Sequence, residues 1–415
     1  MGIFSIFNPK KVNHALALDI GTEFVKALIF RIEGEKGYVI GVGKKRQGLS
    51  EMQGGAVTDI QGVIKNCQEA LSLAQEQAKI AATQTIIGIA GELVKGSTTV
   101  VRYTRDDPKA KITLKELTTI VEKVQGRAFE NTRAQLAWES GYREIDVQLV
   151  NAAIVDVKID GFKVTNPLGF QGKEVEVGIF NAFAPIVHLG ALESVASSLD
   201  LDLLSIAAEP YALARSVGLE EKPDFSAIFI DVGGGTTDIA VVRNGGVEGT
   251  KMFALGGLAF TRRIAENKGI SFDEAEELKI KYSKNELPSK LNAEIGEMLM
   301  PDAEVWLSGV ELTLSEFSLD LLPSRILLCG GGSELPEIKK ILLTTKWTSS
   351  LPFAKPPLVR FLKPEEVVNI KDETNMLKEP SDVTPMALAN LAIDLAGTET
   401  VVEGILSKAV RALRT

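Results

Sequence analysis

The stretch that decides the fold is AIFIDVGGGTTDIAVVRNGG, residues 227–246. An apolar run from Ala227 to Ile230 empties into Asp231, Val232, the glycines Gly233, Gly234 and Gly235, then Thr236, Thr237 and Asp238. A second apolar run follows from Ile239 to Val242. Two apolar runs flanking so bare a turn predict paired strands with a tight connection. Glycines there admit φ > 0 and let a ligand come close to the backbone, so that N–H groups converge on an anion. Taken alone, the same stretch also fits an ordinary glycine hairpin.

A second copy weighs against the ordinary hairpin. In HALALDIGTEFVKALIFR, residues 14–31, an apolar strand, Asp19, Gly21, Thr22 and a second apolar strand recur in the same order, and Asp19 and Asp231 stand 212 residues apart. Internal repetition of this kind predicts two related lobes, each opening with strand, turn and strand. Opposed copies would grip a nucleotide's phosphates, with the hydroxyls of Thr22, Thr236 and Thr237 as added donors. Asp19 and Asp231 would repel phosphate directly, but carboxylates beside a phosphate site suit Mg²⁺ held through water. A third glycine run, SRILLCGGGSELPEI at residues 324–338, takes a strand through Gly330, Gly331, Gly332 and Ser333 towards a helix. Such a turn offers backbone to adenosine or phosphate.

Bulk properties bound the class. A chain of 415 residues exceeds what one core serves, so more than one domain is expected. A formal charge of −9 argues against a nucleic-acid binder, which needs a basic surface. Cys67 and Cys329 lie far apart without metal-type spacing, which reads as reduced core thiols and a cytoplasmic setting. No apolar run approaches the length of about 18 residues that spans a membrane. The start, MGIFSIFNPKK, lacks a cleavage site, and Ile6 stands where a myristoylation signal needs Ser or Thr. His14 and His188 have no partner constellation and read as structural.

With these turns in place the chain resembles the actin-like ATPase superfamily, which includes the large heat-shock chaperones, sugar kinases, MreB, FtsA and PilM. LDIGTEFVK is similar to the first phosphate motif, IDVGGGTTDIAV to the second and LLCGGGSEL to the adenosine motif. AAEPYALARSVG resembles the connecting helix, which implies Glu209 as the residue that orients the attacking water. On its own, a glutamate before Pro210 also fits an ordinary first-turn acid. AEELKIKY resembles the helix that meets the nucleoside, which implies Glu276 and Lys279, and Lys26 matches a lysine that reaches phosphate in some members. The resemblance implies a two-lobed α/β, ribonuclease H-like duplicated fold with ATP and Mg²⁺ between the lobes and slow ATPase turnover.

The segment between the first lobe's halves points to a branch. Residues 98–185 read as an α+β insertion with turns at Asp160-Gly161 and Asn166-Pro167. Its NPLGFQGKEVEV is similar to the inserted 1C, or SHS2-type, subdomain of FtsA, and PilM carries a similar insertion. The expected division is a first lobe at 13–97 and 186–222, the insertion at 98–185, a second lobe at 223–397 and a C-terminal amphipathic helix at 398–415. In ETVVEGILSKAVRALRT, residues 399–415, apolar residues share one helical face and Lys408, Arg411 and Arg414 another. FtsA ends in such a helix, which implies peripheral attachment to the inner face of the plasma membrane; a core helix of the second lobe fits the same pattern. Residues 284–324 depart from FtsA, being short and poor in strand signal where FtsA has a partly β subdomain that contacts neighbours in filaments. The resemblance thus implies an FtsA-like membrane adaptor for the tubulin-like FtsZ, with self-association, or a PilM-like pilus scaffold that takes a PilN-like peptide.

Overall fold

The computed structural model describes residues 13–91, 94–140, 146–164, 166–217, 224–317, 319–344, 346–396 and 406. The expectations for MGIFSIFNPKK, and for residues 398–415 apart from Leu406, lie outside the described residues. The chain opens with β1 (His14–Ile20), β2 (Phe24–Glu33) and β3 (Lys36–Arg46), then a small hairpin of β4 (Met52–Gln53) and β5 (Ala56–Val57). Helix α1 (Ile60–Ala78) and strand β6 (Gln84–Ile89) follow. The insertion comprises β7 (Lys95–Thr104), α2 (Leu114–Ser140), β8 (Val147–Ile159), β9 (Phe162–Lys163) and β10 (Glu174–Pro185). The chain returns through α3 (Ile186–Ser198), β11 (Asp202–Ala208) and α4 (Glu209–Arg215). The second half holds β12 (Ala227–Val232), β13 (Thr237–Arg243), β14 (Gly246–Phe253), α5 (Gly257–Lys268), α6 (Phe272–Ser283) and α7 (Ser289–Ser315). It continues with β15 (Arg325–Cys329), α8 (Pro336–Leu342), β16 (Leu358–Phe361), β17 (Ile370–Asp372) and α9 (Val383–Ala396).

The repeat seen in the sequence is a repeat of topology. In the first lobe β1, β2 and β3 form an antiparallel meander, and β6 and β11 extend it on the β1 side as parallel neighbours. In the second lobe β12, β13 and β14 form the same meander, and β15 and β16 extend it in the same way. Alternation along β12 divides its side chains between two cores. Ala227 and Phe229 join the cluster that holds α4 and α9, while Ile228, Ile230 and Val232 face the second lobe's own helices.

Two features redraw the expected boundaries. Strand β17 pairs in parallel with β3, and α9 packs on β1, β2 and β6, so residues 370–396 return to the first lobe although the sequence reading assigned 223–397 to the second. The reason is apolarity on every side of α9: Val383 through Ile393 are all buried, and a helix without a polar face must lie between two layers. The insertion, in turn, is hydrogen-bonded to the second lobe. Strand β7 pairs with β14 at Ser97–Gly249 and Gly96–Thr250, which makes one nine-stranded sheet of the second lobe and the insertion. Asp160 (φ 49°) and Gly161 (φ 84°) form the β8–β9 turn that their types call for. Within residues 284–324, read as short and poor in strand signal, Ser289–Ser315 form the single helix α7. Leu406 is buried in the insertion's apolar cluster with Ile112, Leu117 and Val121 rather than in the second lobe.

The β7–β14 seam depends on a missing side chain. A Cβ at Gly96 would strike the Thr250 hydroxyl and lie 2.7 Å from the Phe180 ring, and Thr98 donates its hydroxyl to the Val247 carbonyl. Gly96→Val is therefore expected to destabilise the chain by about 1–3 kcal/mol through overpacking. It should also speed amide exchange at Ser97 and Thr250 while β1 and β12 stay protected; unchanged exchange at the seam would refute this account.

Candidate functional site

The two glycine turns are built alike. Gly21 N–H donates to the Phe24 carbonyl at 3.1 Å, and 212 residues later Gly233 N–H donates to the Thr236 carbonyl at 2.9 Å. Each bond closes a tight loop that leaves an aspartate on the strand just before it: Asp19 on β1 and Asp231 on β12. The turns face each other at contact distance. A Cβ at Gly234 would lie 3.0 Å from Glu23 Cβ, and one at Gly235 would lie 3.0 Å from the Thr22 side chain. Asp19 and Asp231 thus open on one cavity of about 290 Å³ between the lobes.

Most residues singled out in the sequence line that cavity. Asp19, Gly21, Thr22, Lys26, Glu209, Asp231, Gly233, Gly234, Thr236, Glu276, Lys279, Gly330, Gly331 and Gly332 all do. Gly235, Thr237 and Ser333 do not. Thr237 is fully buried, its hydroxyl donating to Leu255 O at 2.7 Å and accepting from Trp306 Nε1 at 2.9 Å. Strand alternation explains the correction: Thr236 and Thr237 are neighbours at a strand start and point to opposite sides. Ser333 spends its hydroxyl on the Gly330 carbonyl at 2.7 Å, which shapes the turn instead of meeting a ligand. Gly235 acts by its bareness against Thr22.

Charge is concentrated here. Lys26 stands directly across the first hairpin from Asp19, with Nζ 4.0 Å from the carboxylate, and it donates to the Ser381 carbonyl. The equivalent position in the second hairpin is Asp238, paired across from Asp231. Asp231 accepts from the Thr384 hydroxyl, and Asp238 from the Thr236 hydroxyl at 3.1 Å, while Asp238 Oδ1 is buried with no partner. Glu209 heads α4 and faces the three aspartates. Burial, eased by Lys26 and aggravated by Asp231, pushes Asp19 up to about 6. Burial together with Asp231 and Asp19 pushes Asp238 up to about 8. Glu209 is raised well above the usual carboxylate range by burial and by Asp19, Asp238 and Asp231, and Asp231 is raised by burial.

On the other side of the cavity Lys279 Nζ lies 2.7 Å from Glu276, 2.8 Å from the Thr261 hydroxyl and 3.0 Å from the Gly257 carbonyl, all on α5 and α6. Gly330 sits at φ 82°, and a Cβ there would collide with the Asp231 carboxylate. That turn can therefore approach Asp231 only as glycine.

The sequence reading missed Asp238 and Lys44. The first was legible in the repeat, since it occupies the place of Lys26. Lys44 was not: it is on β3 opposite Lys26, lines the cavity and sits 4.2 Å from the centre of the Phe24 ring. Burial and the neighbouring Lys26 lower its pKa. Only strand register brings these two lysines together.

The residues fit a hydrated divalent cation better than a bare one. Buried carboxylates, one with an oxygen that no group of the chain partners, leave acceptors for a cation's water shell. Yet among the described residues no three acidic, His or Cys side chains are close enough to hold a metal by themselves. Mg²⁺ keeps several waters and shares phosphate oxygens, so it needs no such cage.

Two duplicated lobes of this topology, closing their glycine turns on one cavity, define an actin-like fold. A family profile described as cell division protein FtsA matches residues 228–387. The cell division protein FtsA of Enterococcus faecalis is 25% identical over 353 residues, 79% of this chain and 76% of that protein. FtsA of Pseudomonas aeruginosa is 25% identical over 345 residues, 77% of this chain and 78% of that protein. The solved PilM–PilN type IV pilus biogenesis complex superposes with a TM-score of 0.62 at 18% identity, covering 91% of this chain and 98% of that one. In sequence the chain is similar to FtsA, and it shares the actin-like fold of the PilM complex.

One pH dependence follows from the buried carboxylates. In the folded chain Asp238 keeps its proton to about pH 8, whereas an ordinary aspartate loses it near 3.8. The folded state therefore binds the extra proton across that window, and this contribution to stability is lost as pH rises through it. Without metal or nucleotide, Asp238→Asn should melt above the wild type by several degrees, with the gap widening from about pH 5 to about pH 8. A constant gap in a pH series of thermal melts would contradict the assignment.

Proposed function

We propose that this chain binds ATP with Mg²⁺ between its lobes and works as an FtsA-like adaptor. In that role nucleotide sets lobe closure, and closure sets association with a tubulin-like FtsZ partner and with further copies of the chain. The observation that carries the reading is the facing pair of glycine turns with Asp19, Asp231, Lys26 and Glu209 on one cavity. Because the N–H groups of Gly21 and Gly233 are spent inside their turns, the donors left for phosphate are those of the turn tips, Thr22 and Gly234. Lys26 and Lys44 supply the positive charge for those phosphates. Asp19 and Asp231 hold the metal's water shell, and the bound metal offsets charge on the phosphates. Glu276 and Lys279 take the nucleoside with Gly330, Gly331 and Gly332. Glu209, at the head of α4, orients the water, and turnover is slow because an adaptor needs nucleotide chiefly as a ligand that stabilises one closed form.

The division role rests on the sequence relatives named FtsA. The pilus role, with a PilN-like peptide as partner, is the second reading. Two observations favour it: the single helix α7 where FtsA has strands, and Leu406 seated in the insertion's core. Membrane contact belongs to the first reading only and runs through residues 398–415 on the inner face of the plasma membrane. Among the described residues no helix is long and apolar enough to cross a membrane.

Asp231→Ala is expected to abolish Mg²⁺-dependent ATP affinity in a fluorescent-nucleotide titration, and Lys44→Ala to weaken it about tenfold or more through loss of one charge-assisted contact. Undiminished affinity in Asp231→Ala would rule out this site. Sedimentation with anionic vesicles in Mg-ATP, comparing the full chain with a form ending at Gly397, separates the two roles. Loss of pelleting in the shorter form fits the division adaptor, and equally poor pelleting of both forms favours the pilus scaffold.

A further inference from the structure

The inserted subdomain touches the first lobe where β11 runs into α4, one residue before Glu209. Asn151 lies on β8 opposite Ala182, and the pairing of β8 with β10 slips by one residue between Ala182 and Phe183. Val150 is therefore the extra residue of a bulge, and a bulge re-aims the side chain beside it. Asn151 is buried at 8% exposure, and its Oδ1 accepts the backbone N–H of Ala208 at 2.7 Å. Ala208 precedes α4 in an extended conformation (φ −63°, ψ 119°), and no side chain caps that helix. On the opposite side the Glu209 side chain lies over Gly88, where an added Cβ would come 2.9 Å from its Cγ and 2.5 Å from Oε1. The backbone entering Glu209 is thus pinned by one side chain from the insertion, while its carboxylate rests on a bare strand position of the first lobe.

We propose that Asn151 is a positioning residue for Glu209, so that the inserted subdomain sets the placement of the water-orienting carboxylate through a single hydrogen bond. The inference rests on the proposed role of Glu209 in ATP hydrolysis. Removing the acceptor leaves the Ala208 N–H buried without a partner. The strand–helix junction then shifts to find one, and Glu209 moves with it. Nucleotide contacts come from the glycine turns, from Lys26 and Lys44 and from α5 and α6, so affinity is left in place. A displacement near 1 Å at a reacting group lowers rate by as much as about a hundredfold.

The test is steady-state hydrolysis of Mg-ATP by the full chain, with fluorescent-nucleotide affinity measured alongside, for the wild type, Asn151→Ala, Asn151→Asp, Glu209→Gln and the double variant Asn151→Ala/Glu209→Gln. Expected for Asn151→Ala is a kcat lower by about ten- to a hundredfold with KM and affinity within about twofold. Retained affinity also shows that the variant is folded. Asn151→Asp keeps an acceptor of the same shape and should recover most of the rate. The double variant should be no slower than Glu209→Gln, because residues acting as one unit are not additive. Wild-type kcat in Asn151→Ala, or no recovery in Asn151→Asp, overturns the inference alone, provided that Glu209→Gln abolishes turnover. A wild type without turnover, or one indifferent to Glu209→Gln, overturns the water-orienting reading and this inference with it.

Discussion

The cleft depends on how closely two hydrogen-bonded turns can approach. Each is closed by one backbone bond, Gly21 to Phe24 and Gly233 to Thr236. Closure that tight leaves an aspartate as the last residue but one of the preceding strand, and in the second turn Gly234 and Gly235 add no side chain that would hold the lobes apart. With Gly234 and Gly235 within contact of Glu23 and Thr22, the strands behind them bring Asp19 and Asp231 to one cavity. Any residue larger than glycine at 234 or 235 would meet Glu23 or Thr22 and widen the gap.

The hairpins are duplicated in backbone but not in charge. Where the first lobe places Lys26 the second places Asp238, and β3 adds Lys44 beside Lys26. Among the hairpin residues the lysines therefore lie on the first lobe's side only, beside Asp19. Burial, joined by neighbouring acids for Asp19, Glu209 and Asp238, makes Asp19, Glu209, Asp231 and Asp238 all hold protons more tightly than isolated carboxylates do. Lysines beside buried acids match the magnesium-bound phosphate proposed for this cleft. At its mouth Arg46 pairs with Glu23 at 2.6 Å on its own lobe and with Asp273 at 3.0 Å on the other. That exposed bridge spans the two lobes but adds little stability.

The lobes are not joined by the cleft alone. Helix α9 returns from the second half to lie under the first sheet, α4 packs between β13 and α9, and the insertion shares a sheet with the second lobe through β7 and β14. A shift of one lobe relative to the other must therefore move the insertion, and the insertion in turn holds the backbone ahead of Glu209 through Asn151. Packed interfaces of this sort change between discrete arrangements rather than bending smoothly.

What the sequence determined by itself was whatever is encoded in short spacing: the two glycine turns, their aspartates, the third glycine run, the Asp160-Gly161 turn and the apolar character of α9. These are local because φ > 0, tight turns and strand alternation are properties of a few consecutive residues. Five ordered motifs were enough to point to the actin-like fold, and Asp238 was within reach of the same repeat. Tertiary structure decided the rest. Thr237 turned from ligand donor to partner of Trp306, Lys44 joined Lys26 through strand register, and α9 went to the first lobe. Asn151 reached Ala208 across 57 residues of chain. Each depends on which strands pair and in what register, and a pairing between distant segments leaves no mark in the spacing of either one.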